Sequence, residues 1–153
     1  MYKKIIVPLD GSKLAEGVLP HVRQLAHCLG CQIVLLQVLT HKSYDYLITD
    51  PGLAASLRSS EEEAACNYIG PLIKQLQQEG LDVAADVVAA TGTVADVIIA
   101  FSHQAHGDLI AMSTHGRTGP ARWMLGSVAD RVVRGAGIPV LLIHPQSERE
   151  PGA

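Results

Sequence analysis

Lys3-Lys4-Ile5-Ile6-Val7-Pro8-Leu9-Asp10-Gly11-Ser12 sets how the rest of the chain is read. Ile5, Ile6 and Val7 run without a polar break, the mark of a short buried strand. Asp10-Gly11-Ser12 then turns the chain into a helix, with Ser12 or Asp10 as its cap. Leu14, Val18, Val22, Leu25 and Leu29 follow at spacings of four, four, three and four, which is one helix face. Pro20 lies inside that pattern and predicts a kink or a late helix start, because an interior proline removes a backbone donor. Gly30 is the stop.

The same alternation repeats downstream. Gln32 to Leu39 reads as a second strand. Residues 40–57 lack a period and contain Pro51-Gly52, so a long loop is expected there. A second helix is expected from about Ser59, with Glu61 to Glu63 near its positive N-terminal end and Ala65, Ile69, Leu72, Ile73 and Leu76 inward. Gly80 ends it. Leu81 to Ala89 is a third strand, and Gly92-Thr93 caps a helix that turns Val94, Val97, Ile98 and Phe101 inward. Asp108 to Ser113 is a fourth strand and 114–125 a loop. Gly126-Ser127 opens a helix with Val128, Val132 and Val133 inward, stopped by Gly135-Ala136-Gly137. Ile138 to Ile143 is the fifth strand.

Strands alternating with helices imply an α/β fold with helices on both faces of a parallel sheet. We expect a Rossmann-like, five-stranded sheet in the order 3-2-1-4-5. Residues 1–145 form one expected domain and 146–153 a polar tail.

Composition narrows the function. The chain has 153 residues, 48% of them hydrophobic and 18% charged. That length buries roughly 70% of the unfolded surface, so no disulfide or metal is needed to fold it. The net charge is −3 and no basic stretch exceeds a pair such as Lys3 and Lys4, which argues against a nucleic-acid partner. No apolar run approaches the roughly 20 residues of a membrane span, and the N-terminus does not read as a signal peptide. A soluble, cytoplasmic protein is expected. Cys28 and Cys31 form a C-x-x-C at the end of a helix, where the dipole has the wrong sign to activate a thiol. The three cysteines lack further ligands at metal spacing, so buried structural thiols are expected and no metal site is assigned. His103 and His106 lie three apart without a third ligand, as exposed histidines do.

In such a sheet, ligands bind beyond the carboxyl ends of the strands where strand order reverses, here after strands one and four. Ser113 to Ser127 has the parts of an anion site. Gly116 and Gly119 let backbone N–H groups approach a ligand, and Gly126-Ser127-Val128 begins a helix whose free N–H groups and positive end attract phosphate. Ser127 adds a hydroxyl donor, and Arg117, Arg122 and His115 are candidate phosphate contacts. The same residues also read as an ordinary helix N-cap after a surface loop, with Trp123 anchoring that loop. Neither a G-x-x-x-x-G-K-[ST] nor a strand-borne G-x-G-x-x-G is present.

Pro8-Leu9-Asp10-Gly11-Ser12, Met112 to Gly119, Leu125-Gly126-Ser127-Val128-Ala129 and Ile138 to Ile143 together resemble the ATP-binding branch of the universal stress protein family. That branch carries G-x-x-G, nine residues, then G-[ST]. Gly116, Gly126 and Ser127 match it, and Ser113 replaces the first glycine. The resemblance implies that Asp10 and the Val38 backbone hold the adenine side, with Pro8 lining it. It places Met112 and Ser113 near adenine and ribose, and Gly116, Gly126, Ser127 and Val128 on the phosphates. It further implies ATP as ligand, with AMP or ADP as variants and Mg²⁺ carried by the phosphates, and a homodimer through Pro139 to Ile143. From the residues alone, Asp10 also reads as a helix cap and Val38 as plain core.

Three functions follow: a nucleotide-binding stress regulator acting through an unidentified protein partner, a slow ATPase or phosphotransferase, or an interaction module without nucleotide. Phosphoryl transfer needs a positioned base. Asp10 is the only acidic candidate and belongs to the adenine side, so at most weak hydrolysis is expected. Gly116, Gly126 and Ser127 speak against the third function.

Overall fold

The computed structural model describes residues 2–40, 50–114 and 125–144. Strands β1 (Lys4–Leu9), β2 (Gln32–Leu39), β3 (Val83–Ala89), β4 (Leu109–Ser113) and β5 (Val140–Ile143) form one sheet in the order β3-β2-β1-β4-β5. Every pairing in it is parallel. This is the expected order, and it puts the reversal between β1 and β4.

The helices are α1 (Lys13–Glu16), α2 (Leu19–Leu29), α3 (Pro51–Gln78), α4 (Val94–Gln104) and α5 (Ser127–Gly135). Pro20 produces the late start rather than a kink: α1 breaks off after one turn, and α2 begins with Pro20 in its first turn, where a missing N–H costs nothing. Gly30 closes α2 at φ +65, a left-handed geometry that glycine takes without strain. Leu14, expected inward, is exposed, because the break at Gly17 takes it off the face that Val18 and Val22 share.

The largest correction concerns α3. A loop was expected through residue 57, yet the helix already begins at Pro51, with Asp50 capping it by accepting the Gly52 N–H at 2.9 Å. Asp-Pro is a helix start: the carboxylate takes a free donor and proline fills the position that has none to offer. Glu61 to Glu63 therefore lie in the middle of a 28-residue helix, not at its N-terminus. No apolar period announced this stretch because its first turns are mostly exposed, the buried residues of α3 being Ala65, Ile69 and Leu76. Residues 41–49 of the expected loop, and 145–153 with the whole expected tail, lie outside the described residues.

Alternation along the strands feeds two cores. Ile5, Val7, Ile33, Leu35, Leu109 and Ala111 meet α1, α2 and α3 on one face. Ile6, Val34, Leu36, Ile110 and Met112 meet α4 and α5 on the other. Ile98 of α4 and Val132 of α5 are buried there, and Val133, expected inward, is exposed. Of the cysteines only Cys31 is buried, its thiol donating to the Tyr2 carbonyl at 3.0 Å; Cys28 and Cys66 are exposed, against expectation, and all three are free. His103 and His106 are both exposed. Among the described residues no helix is long and apolar enough to cross a membrane.

Candidate functional site

The carboxyl ends of β1, β2 and β4 open into a cavity of about 580 Å³. The reversal of strand order makes it: β1 leads to α1 and α2 on one face of the sheet and β4 leads to α5 on the other. Of the residues singled out from sequence, Pro8, Asp10, Val38, Met112, Ser113, Gly126, Ser127 and Val128 all line this one cavity. His115, Gly116, Arg117, Arg122 and Trp123 lie outside the described residues.

Asp10 and Ser12 divide the two roles the sequence left open. The Ser12 hydroxyl caps α1 by accepting the Ala15 N–H at 3.1 Å. Asp10 Oδ1 accepts from the Ser12 N–H at 3.0 Å and the Ser12 hydroxyl at 2.6 Å. Asp10 thus braces the cap and stays at the cavity wall.

At the other end, α5 points its N-terminus at the cavity. Gly126 is the N-cap, with φ −61 and ψ 149, and as a glycine it makes no side-chain cap bond. The Gly126 N–H donates to the Thr114 carbonyl at 3.0 Å, tying the helix start to the end of β4. The first-turn N–H groups that follow have no intrahelical acceptor and sit at the positive end of the dipole. Asp96, in the first turn of α4, holds α5 in place through Arg131. The Thr93 hydroxyl first, and Arg131 after it, keep the Asp96 carboxyl below its usual range.

Ser113 stands where the resembled motif has glycine. Its φ is not positive, so the backbone accepts a side chain there. The residue is 7% exposed, and its buried hydroxyl has no hydrogen-bond partner among the described residues. A hydroxyl withdrawn from water and left unpaired is destabilising, and its placement on a cavity wall is the pattern of a group kept for a ligand.

Sequence reading missed part of the wall: Leu9, Gln37, Leu39, Glu61, Tyr68, Val94 and Ile98. Glu61 and Tyr68 belong to α3, whose early start the sequence concealed. Gln37 had a signal, since it is the one polar residue inside Ile33 to Leu39.

Comparison with known proteins agrees with this architecture. The universal stress protein family matches residues 1–144. The universal stress protein MJ0531 of Methanocaldococcus jannaschii is 29% identical, over 97% of this chain and 86% of its own length. The solved structure of MJ0577 from the same organism superposes with a TM-score of 0.84 at 28% identity, covering 97% of this chain and 99% of that one. A universal stress protein from Archaeoglobus fulgidus, solved in complex with dAMP, shares the fold with a TM-score of 0.67 at 20% identity, over 93% of this chain and 98% of its own. A family match that runs from the first residue to the one after β5 leaves no element of the sheet outside it, and the chain belongs to the universal stress protein family.

Proposed function

We propose that this protein binds an adenine nucleotide, ATP in the first place, across the carboxyl edge of the sheet. In this reading it serves as a stress-response regulator whose interactions depend on the bound nucleotide. One observation carries the binding: the glycine-capped N-terminus of α5 opens onto a cavity whose wall holds the buried Ser113 hydroxyl, unpaired among the described residues. A helix start of this kind favours phosphate, so Gly126, Ser127 and Val128, with Gly116 from the preceding loop, hold the anionic end. Pro8, Asp10, Val38, Met112 and Ser113 take the nucleoside. Arg117 and His115 are the proposed additional phosphate contacts, and Mg²⁺ accompanies the phosphates. The A. fulgidus protein with dAMP supports the reading through its shared fold.

The arrangement favours binding over turnover. Among the described residues, Asp10 and Glu61 are the acidic ones on the wall, and Asp10 is engaged with the Ser12 cap. Asp10 leaves the end of β1 and Glu61 belongs to α3, so neither comes from α5 or from the strand that leads to it. The proposed assembly is a homodimer through Pro139 to Ile143. β5 is an edge strand whose residues are all half-buried, and an open apolar edge invites pairing with a second copy. A cytoplasmic location completes the proposal, in keeping with three free thiols.

The test is direct. The purified protein is denatured, released small molecules are analysed by mass spectrometry, and ATP is titrated while the fluorescence of Trp123, the only tryptophan, is followed. Bound adenine nucleotide or a saturable response is expected, weakened in Ser127→Ala. Neither signal at millimolar ATP would overturn the proposal.

A further inference from the structure

We infer that Gln37 is a specificity-determining residue of this cavity, reading the amino group and N7 of an adenine base. The inference rests on the nucleotide reading above. Gln37 is 9% exposed, and its buried Oε1 has no hydrogen-bond partner among the described residues. Its cross-strand partners are Leu9 on β1 and Val87 on β3, which bring no polar side chain to it. A methionine or leucine would fill this place in the sheet without leaving a dry carbonyl. Burying an amide oxygen unsatisfied is destabilising, and in native interiors such groups are rare. Here the amide faces a cavity, so the missing partner has room to enter.

The layout of the cavity says what enters. The glycine-capped start of α5 follows β4 and takes the anionic end of a ligand. β1 lies between β4 and β2, so Gln37 stands two strand spacings from Ser113, about 10 Å. That is the scale of a nucleoside between its 5′ phosphate and the far edge of its base. Leu9 is its neighbour on β1, and Leu39 and Ala65 line the same cavity beside the polar Glu61 and Tyr68 of α3, so apolar surface for a flat ring stands next to polar groups. A primary amide sets an acceptor beside a donor. Adenine sets an amino donor beside the N7 acceptor, and the two match in a bidentate pair. A purine with a carbonyl at position 6 shows two acceptors on that edge, and Oε1 is then left facing an oxygen.

Calorimetric titration of the intact protein and of Gln37→Met with ATP, ITP and 7-deaza-ATP tests this, alongside the melting temperature without nucleotide. The protein is expected to bind ATP roughly tenfold tighter than ITP or 7-deaza-ATP, one bidentate pair against a broken one. In Gln37→Met, ATP binding falls about tenfold and the three ligands bind within about threefold of one another, while the melting temperature is unchanged or higher. Should Gln37→Met fold poorly, Gln37→Asn keeps the amide but shortens its reach, and the same narrowing among ligands is expected. A variant that keeps the ATP affinity and the ATP-over-ITP preference overturns the role of Gln37 and leaves the nucleotide reading standing. A protein that binds no purine nucleotide at all overturns both.

Discussion

The Asp96 carboxylate receives two hydrogen bonds from the Arg131 guanidinium, Nε to Oδ1 and Nη2 to Oδ2, each 3.0 Å. This fork joins the first turn of α4 to α5 one turn past its N-cap. Both helix starts line the cavity, through Val94 and through Gly126 to Ala129. The pair is solvent-exposed, where ion pairs add little to global stability. Its geometry instead sets where the α5 dipole points. Arg131→Met is therefore expected to weaken ATP binding about two- to threefold with a small change in melting temperature. Titration by Trp123 fluorescence checks it, and unchanged affinity would show that the fork does not position α5.

Asp108 carries the acid sensitivity of the strand start. Its Oδ2 accepts the backbone N–H groups of Lys3 at 2.8 Å and Lys4 at 3.0 Å, pinning the beginning of β1 beside β4. Those two donors hold its carboxyl below the ordinary 3.8. A depressed carboxyl stabilises the fold above its unfolded value, and the contribution is lost as pH falls through the folded one. Stability is expected to decline from about pH 4 downward. Asp108→Ala is expected to melt lower at pH 7 and to lose less on acidification. Melting curves from pH 7 to pH 2 decide it, and parallel curves for the two proteins would remove Asp108 from the account.

Gly107 is required by space rather than by backbone conformation. A Cβ there would stand 2.6 Å from Cγ1 of Ile6, which is fully buried, and 3.2 Å from the Ser102 carbonyl. Neither neighbour is free to retreat, since Ile6 packs in the α4–α5 core. Gly107→Ala is expected to cost about 1–3 kcal/mol, as overpacking does. Denaturant unfolding measures it, and a loss below about 0.5 kcal/mol would mean that the Ile6 side chain can repack.

Ser113→Ala separates stability from binding. Removing a buried, unpaired hydroxyl is expected to leave stability within ~1 kcal/mol of the parent, or to raise it. ATP affinity is expected to fall about fivefold, one neutral hydrogen bond. Paired melting and titration experiments read both quantities. A lower melting temperature with intact ATP binding would assign Ser113 to the fold instead of the ligand.

Much of this molecule is legible in its sequence, for a local reason. Ile5-Ile6-Val7, the spacing of Val18 and Val22, and Gly30 each declare an element through contacts within a few residues. The alternation of elements then leaves few topologies open, since crossovers between parallel strands are right-handed. The place of the site follows from that order, and eight of the residues named in advance meet at one cavity.

What the sequence left open depends on distant neighbours. Pro51 starts α3 because Asp50 caps it, in a stretch whose exposed turns leave no apolar period. Leu14 and Val133 fit a helical face on paper, and the break at Gly17 and the inward face of Ala129, Val132 and Ala136 put both in solvent. Ser12 rather than Asp10 caps α1, a choice made by how the turn closes. Gln37 reads as a polar interruption of a strand until the sheet surrounds it with Leu9 and Val87. Sequence by itself determined the succession of strands and helices, which follows from short-range periodicity, and with it the sheet order, because right-handed crossovers leave few alternatives. Tertiary structure alone decided which polar atoms stand dry on the cavity wall, because hydrogen-bond satisfaction is fixed by neighbours far away along the chain.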